Sequence, residues 1–273
     1  RRLLEMLISV RKWLSPVVVI FAVGASVAVL AQGPWKNTIA AAVLNDTLYS
    51  VETDGALYIT DLNTGKWRQI GKPEFGNTRF MFAGGKNLLT IEKDGSLYRV
   101  DPSNGTWVQI GEAGAWKDTL AGAFVGGRLY TAEPSGHLYA TDPATGAYVS
   151  VGKPEFGRTA RMFSSDNGLF TIESDGSLYS INPANGAWRQ LGKNGEWKNT
   201  IARTTLGSMI YTVETNGGLY ETNPATGTWR QIGKPEFAKT RLLVSARGSL
   251  FSLENGYLYR IDPTSGAWVE VGK

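Results

Sequence analysis

Six glutamates, Glu52, Glu92, Glu133, Glu173, Glu214 and Glu254, each stand before a short turn, in the strings ETDG, EKDG, EPSG, ESDG, ETNG and ENG. Carboxylates recurring at one station could together hold a cation or a cationic group on a common axis. A pair of them could also serve as the acid and nucleophile of glycoside hydrolysis, but that chemistry needs two unlike environments, which equivalent repeats supply poorly. The third reading is structural: a carboxylate before a tight turn accepts hydrogen bonds from nearby backbone N–H groups, beside the threonine that opens each repeat. An acid present in every repeat favours this structural reading over the axial cation.

A second set of residues alternates. The string GKPEF occurs at 71–75, 152–156 and 233–237, and midway between the copies the same slot carries a Trp-Lys pair at 35–36, 116–117 and 197–198. The candidate ligand-binding residues are therefore Trp35, Lys36, Trp116, Lys117, Trp197 and Lys198 in one half of the repeats, and Glu74, Phe75, Glu155, Phe156, Glu236 and Phe237 in the other. Two roles compete. The aromatic rings can wedge between neighbouring repeats, or they can stack on sugar rings while the charged neighbours bond hydroxyls, giving three equivalent pockets and avidity.

Other chemistry finds few residues to work with. The chain has no cysteine and one histidine, His137, so a zinc site has no second Cys or His to draw on. No Ser or Thr stands beside a base and its orienter, and no glycine-rich loop leads from a strand into a helix. The expectation is a protein without catalytic residues, metal or cofactor, and not an enzyme.

The elements that must position these residues emerge from a period. Thr38, Thr78, Thr119, Thr159, Thr200 and Thr240 are spaced by 40, 41, 40, 41 and 40 residues, so two unlike units make a superunit of 81. In the first unit the runs 38–44, 47–52, 56–61 and 66–71 are rich in β-branched and aromatic residues, separated by Asn-, Asp- and Gly-bearing turns. Four short antiparallel strands per unit, repeated six times without a helical stretch, predict a six-bladed β-propeller, because one small twisted sheet must stack on its neighbours to bury its faces. The 33 glycines and 11 prolines, spread through the turns, agree. The predicted blades are 35–71, 72–111, 112–152, 153–192, 193–233 and 234–272.

In such a ring the first strand lines the central channel and the fourth lies at the rim. GKPEF and Trp-Lys are then the crossings from one rim to the next inner strand, on the same face as the glutamates. Asp61, Asp101, Asp142, Asn182, Asn223 and Asp262 read as initiators of the third turn of each blade. Trp67, Trp107, Tyr148, Trp188, Trp229 and Trp268 read as outer-strand aromatics packed between blades. No blade combines strands from both termini, so closure must rest on side-chain packing between the first and last blades.

The recurring LYxxDPxxGxW, Leu97 to Trp107 with close versions at 57–67, 138–148, 178–188, 219–229 and 258–268, resembles the strand–turn–strand signature of quinoprotein-type propellers. The acidic and metal-binding residues of that type's quinone-binding enzymes are not found here. The chain looks more like the propeller ectodomains of some bacterial receptors, or the cofactor-free quinoprotein-like propellers that serve as scaffolds in envelope assembly.

Residues 1–34 are of another class. Arg1, Arg2, Arg11 and Lys12 precede an uncharged stretch, 13–34, which predicts an N-terminal hydrophobic helix acting as signal peptide or single transmembrane anchor. The stretch 14–31 is long enough to cross a bilayer core, while VLAQG, with Val29 and Ala31, reads as a cleavage site. Either way the basic flank stays inside and the chain beyond about residue 32 is extracytoplasmic, with membrane contact through residues 13–32 if uncleaved. The missing initial methionine suits a longer parent chain with a domain upstream. Lys+Arg total 28 and Asp+Glu 24; without Arg1, Arg2, Arg11, Lys12 and Glu5 the counts are 24 and 23, a nearly neutral ring with no footprint for nucleic acid. The sequence thus predicts an exported, non-catalytic ligand-binding or sensor propeller of the bacterial envelope, its ligand a glycan or a protein. The alternative is a protein-interaction scaffold.

Overall fold

The computed structural model describes residues 35–165 and 168–271. The hydrophobic helix expected within 1–34 lies outside the described residues. Among those that are described, no helix is long and apolar enough to cross a membrane.

Six four-stranded antiparallel sheets succeed one another along the chain, each with its strands in sequence order. In blade 1 these are β1 (Thr38–Leu44), β2 (Thr47–Glu52), β3 (Leu57–Asp61) and β4 (Trp67–Ile70). The first hairpin turns on Asn45 and Asp46, both at positive φ, the two-residue turn whose twist matches its strands. All six predicted Asx turns form: Asp61, Asp101, Asp142, Asn182, Asn223 and Asp262 each accept the amide N–H two residues on, at 2.7–3.0 Å.

The inner strand β1 alternates buried and half-buried residues, β2 is buried almost throughout, and β4 buries only Ile70. This gradient is what stacking requires, since the middle of each blade is covered on both faces and the outermost strand has solvent beyond it. Phe75, Phe156 and Phe237 sit in the apolar clusters shared by blades 1 and 2, 3 and 4, and 5 and 6. Trp116, Trp197 and Trp35 occupy the remaining junctions, between blades 2 and 3, 4 and 5, and 6 and 1. The ring is thus assembled as three two-blade units with Phe inside each unit and Trp between them.

The junctions between units carry a further device. Arg79 donates to the carbonyls of Lys117 and Thr119, Arg161 to that of Thr200, and Arg241 to those of Lys36 and Thr38. The last of these pairs closes the ring, so the junction lacking a covalent link uses the same guanidinium staple and tryptophan wedge as the other two. Arg247 adds a backbone N–H to Asp46 Oδ1 at 3.1 Å across that seam.

Candidate functional site

Each glutamate of the recurring set in blades 1, 2, 4, 5 and 6 ends the second strand, opposite the threonine that starts the first. In these five blades the threonine hydroxyl donates to the carboxylate: Thr38 to Glu52, Thr78 to Glu92, Thr159 to Glu173, Thr200 to Glu214 and Thr240 to Glu254, at 2.6–2.9 Å. The partner is therefore the hydroxyl rather than the backbone N–H groups expected from the turn. In the same blades a bulge after the threonine sets the register. Blade 3 pairs without one, beginning at Ala121, and there the buried Thr119 hydroxyl has no partner.

Burial pushes the carboxyls of Glu52, Glu92, Glu173 and Glu214 above their ordinary range, and the threonine bonds temper the rise. In Glu133 burial is joined by the nearby charge of Asp118. A carboxyl whose pKa is higher folded than unfolded favours folding when protonated. Its contribution is fully present below the ordinary value of 4.5 and is lost as pH rises through the folded value. Stability therefore rises as pH falls from 7 toward that range. It declines below it, where Asp101, Asp175 and Asp262, held low by hydrogen bonds from neighbouring Ser and Thr residues, take up protons. Glu214→Gln keeps an acceptor for Thr200 and removes the charge. It is expected to raise the melting temperature at pH 7 by an amount worth less than about 1 kcal/mol, water screening the half-buried site, and to flatten the pH dependence between about pH 7 and 5. A lower melting temperature at pH 7, monitored by circular dichroism, would contradict this.

The alternating crossings divide into buried and exposed parts. The rings of Trp35, Phe75, Trp116, Phe156, Trp197 and Phe237 are only 2–5 % exposed. No face of these rings is turned to solvent, so the sugar-stacking role considered for them finds no accessible surface, and they are wedges between blades. Their charged neighbours Lys36, Lys117, Lys198, Glu74, Glu155 and Glu236 are exposed. The wedge backbone is held as well: the amides of Phe75, Trp116, Phe156, Trp197 and Phe237 each donate to the turn glycine of the preceding blade, at 2.8–3.0 Å.

The three crossing glutamates reach across their own blades to the rim. The indole N–H of Trp107 donates to Glu74 Oε2 at 2.9 Å, that of Trp188 to Glu155 at 2.9 Å and that of Trp268 to Glu236 at 3.1 Å. Each of these tryptophans also takes the edge-to-face partner Tyr98, Tyr179 or Tyr259, with centroids 5.0–5.1 Å apart. Of the six outer-strand aromatics expected between blades, Trp67 packs against the apolar cluster shared by blades 6 and 1, whereas Trp107, Tyr148, Trp188, Trp229 and Trp268 are 47–49 % exposed. A fourth strand has a neighbouring strand on one side only, and the residues facing away from the sheet interior meet water. Nothing within the strand foretells this, since WVQI, YVSV and their equivalents carry an aromatic at one end and an aliphatic residue at the other, and it is the aliphatic end that is buried.

Glu92, Glu74, Tyr98 and Trp107 line a single cleft of about 420 Å³ on blade 2. Blade 4 has a smaller counterpart of about 190 Å³ along Glu155, Glu173, Tyr179 and Trp188, and blade 5 one of about 200 Å³ along Glu196, Glu214, Tyr220 and Trp229. The glutamate ring and the crossings thus meet on individual blades rather than around the channel axis. At the channel mouth on the opposite side, Ser164, Thr205 and Ser245 each bond the inner-strand backbone of the preceding blade, at 2.6–2.8 Å, which satisfies their hydroxyls. Among the described residues no cluster of His, Cys, Asp and Glu is arranged to hold a metal ion.

A repeat family described as outer membrane protein assembly factor BamB matches residues 93–231, just over half of the chain. No curated protein matches. Among solved structures, PorZ, described as an essential bacterial surface component of the type-IX secretion system of Porphyromonas gingivalis, is similar with a TM-score of 0.56 at 17% identity. The match covers 87% of this chain and 33% of PorZ, so the chain spans about a third of that protein's length. The computationally designed protein Ika8 is similar with a TM-score of 0.50 at 16% identity, over 88% of this chain and 73% of the designed one. At these identities the likeness extends to the fold.

Proposed function

This chain belongs to the family of outer membrane protein assembly factor BamB, and we propose that it is a non-catalytic protein-binding module of the bacterial envelope that presents its rim and crossing face to a partner. The observation that carries this reading is the rim itself. Among the described residues, the large exposed hydrophobics are Trp107, Val108, Tyr148, Val149, Trp188, Trp229, Trp268 and Val269, all on the outermost strands. Tryptophan and tyrosine exposed but held in one orientation lose little entropy on binding, and such side chains concentrate binding energy at protein interfaces. The family assignment supports an envelope location, and the basic flank preceding an apolar stretch at the N-terminus supports export.

Glycan recognition is a second reading, favoured by the three half-exposed indoles fixed by Glu74, Glu155 and Glu236. The two readings separate in one experiment. The full chain carrying a photo-crosslinking residue at Val108 or Val269 is exposed to an envelope extract, beside a Trp107/Trp188/Trp268→Ala variant whose fold is checked by circular dichroism. Discrete protein adducts that compete with unlabelled chain and vanish in the variant are expected. Saturable binding of oligosaccharides with no protein adduct would replace the protein reading with the glycan one.

A further inference from the structure

Comparison of the even-numbered blades shows what the blade 2 cleft lacks. GKPEFGRT of blade 4 places Arg158 at the mouth of its cleft, 3.6 Å from Asp175, so that blade supplies its own guanidinium to an acidic, aromatic-walled recess. In GKPEFGNT of blade 2 the same position is Asn77, while the acids and aromatics are retained as Glu74, Glu92, Asp94, Tyr98 and Trp107. The cleft is correspondingly about twice as large, 420 against 190 Å³. In blade 6 the acid is itself lost: the turn is ENG, with Asn255, and Lys239 stands at the arginine position.

Three features of the blade 2 cleft suit a cation. Among the described residues, none of Glu74, Glu92 and Asp94 is ion-paired, and the cation lining the cleft, Lys93, points its amine to the Gly76 carbonyl at 3.5 Å. The indole of Trp107 is 47 % exposed and is held in place by Glu74 and Tyr98, which leaves a preorganised aromatic wall for a planar cation. The Thr90 hydroxyl, 1 % exposed, also lines the cleft beside the Glu92 carboxyl, with no partner in good hydrogen-bond geometry. Thr171 stands in the same state in the blade 4 cleft.

We propose that the blade 2 cleft receives an arginine side chain of a partner protein, stacked on Trp107 and charge-paired with Glu74, Glu92 and Asp94, in the way blade 4 already holds its own Arg158 near Asp175. Arginine is preferred to lysine because its flat guanidinium can stack on the indole and bond two carboxylates at once, whereas an ammonium is a point charge. The inference rests on the protein-binding reading above and specifies its chemistry.

The test monitors the indole N–H resonance of Trp107 in the full chain labelled with ¹⁵N-tryptophan, assigned through Trp107→Phe. The probes are a blocked Gly-Arg-Gly peptide and its citrulline counterpart, which keeps the shape and loses the charge. The arginine peptide is expected to shift the Trp107 resonance saturably, and the citrulline peptide is expected to leave it in place. Asp94→Asn should weaken the titration roughly tenfold, the size of one charge-assisted contact. Asn77→Arg, which rebuilds blade 2 in the image of blade 4, should abolish it while leaving the fold intact. Equal response to citrulline, or an undiminished titration in Asn77→Arg, would overturn the proposal. If crosslinking at Val108 still captures a protein partner after either of those outcomes, the arginine assignment alone has failed and the binding-module reading stands.

Discussion

Replacing Trp116 by alanine is expected to destabilise the propeller by about 3–5 kcal/mol, the cost of deleting a large aromatic from a closed core. Trp116 is 2 % exposed and packs with Leu89, Ile91, Leu97 and Ile110 of blade 2 and Leu129 of blade 3. Its ring meets Tyr148 edge-to-face at 5.9 Å, and its amide bonds the Gly95 carbonyl at 2.9 Å. The surrounding strands are tied into two separate sheets and cannot collapse into the space, so the cavity persists. For a ring of this size the loss amounts to a fall in melting temperature of roughly 10 °C. Trp107→Ala serves as the contrast. That indole is half exposed, and removing it should cost only about 1 kcal/mol, since one hydrogen bond and one edge-to-face contact are lost without a buried void. Equal effects from the two substitutions, measured by thermal unfolding, would show that Trp116 is not a wedge.

Gly146→Ala is expected to cost about 2–5 kcal/mol, from two separable sources. Gly146 lies in the outer turn of blade 3 at φ +78°, a left-handed conformation that a side chain opposes by about 1–2 kcal/mol. A β-carbon there would also fall within the van der Waals envelope of the Gly111 backbone, at the end of blade 2. Neither backbone can yield without parting the blades, which adds an overpacking cost of about 1–3 kcal/mol. Gly126→Ala isolates the first source, because Gly126 has φ +57° and open space where its β-carbon would go. The difference between the two melting temperatures measures the interblade contact. Were Gly146→Ala no worse than Gly126→Ala, close approach of the blades at this point would be disproved.

Gly146 also marks where local reading stops. DPATG announces a turn, and both Asp142 and Gly146 act in it as expected. That Gly146 must lie against Gly111 of another blade is invisible until the blades are stacked. The glutamates show the same limit at shorter range. Glu92 is legible as a recurring acid beside a turn and near the opening threonine, but its bond to the Thr78 hydroxyl depends on a bulge that shifts the register by one residue. Blade 3 shares the Thr and Glu, lacks the bulge and lacks the bond.

The repeat period, the four antiparallel strands per blade, the six blades, the turn chemistry and the division into two-blade units are all written in the order of residues. They depend on residue type and spacing along the chain, through alternation of side chains on a pleated strand and the few residues that tolerate a tight turn. Which aromatics face water is settled only once the blades are stacked into a ring. Phe75 and Trp107 are both aromatics of the GKPEF-type blades, yet one is 4 % and the other 47 % exposed. The reason is geometric. A crossing is covered by the blades on either side, whereas an outer strand has a neighbour on one side only, so burial is set by radial position in the ring, and no pattern within one repeat encodes it.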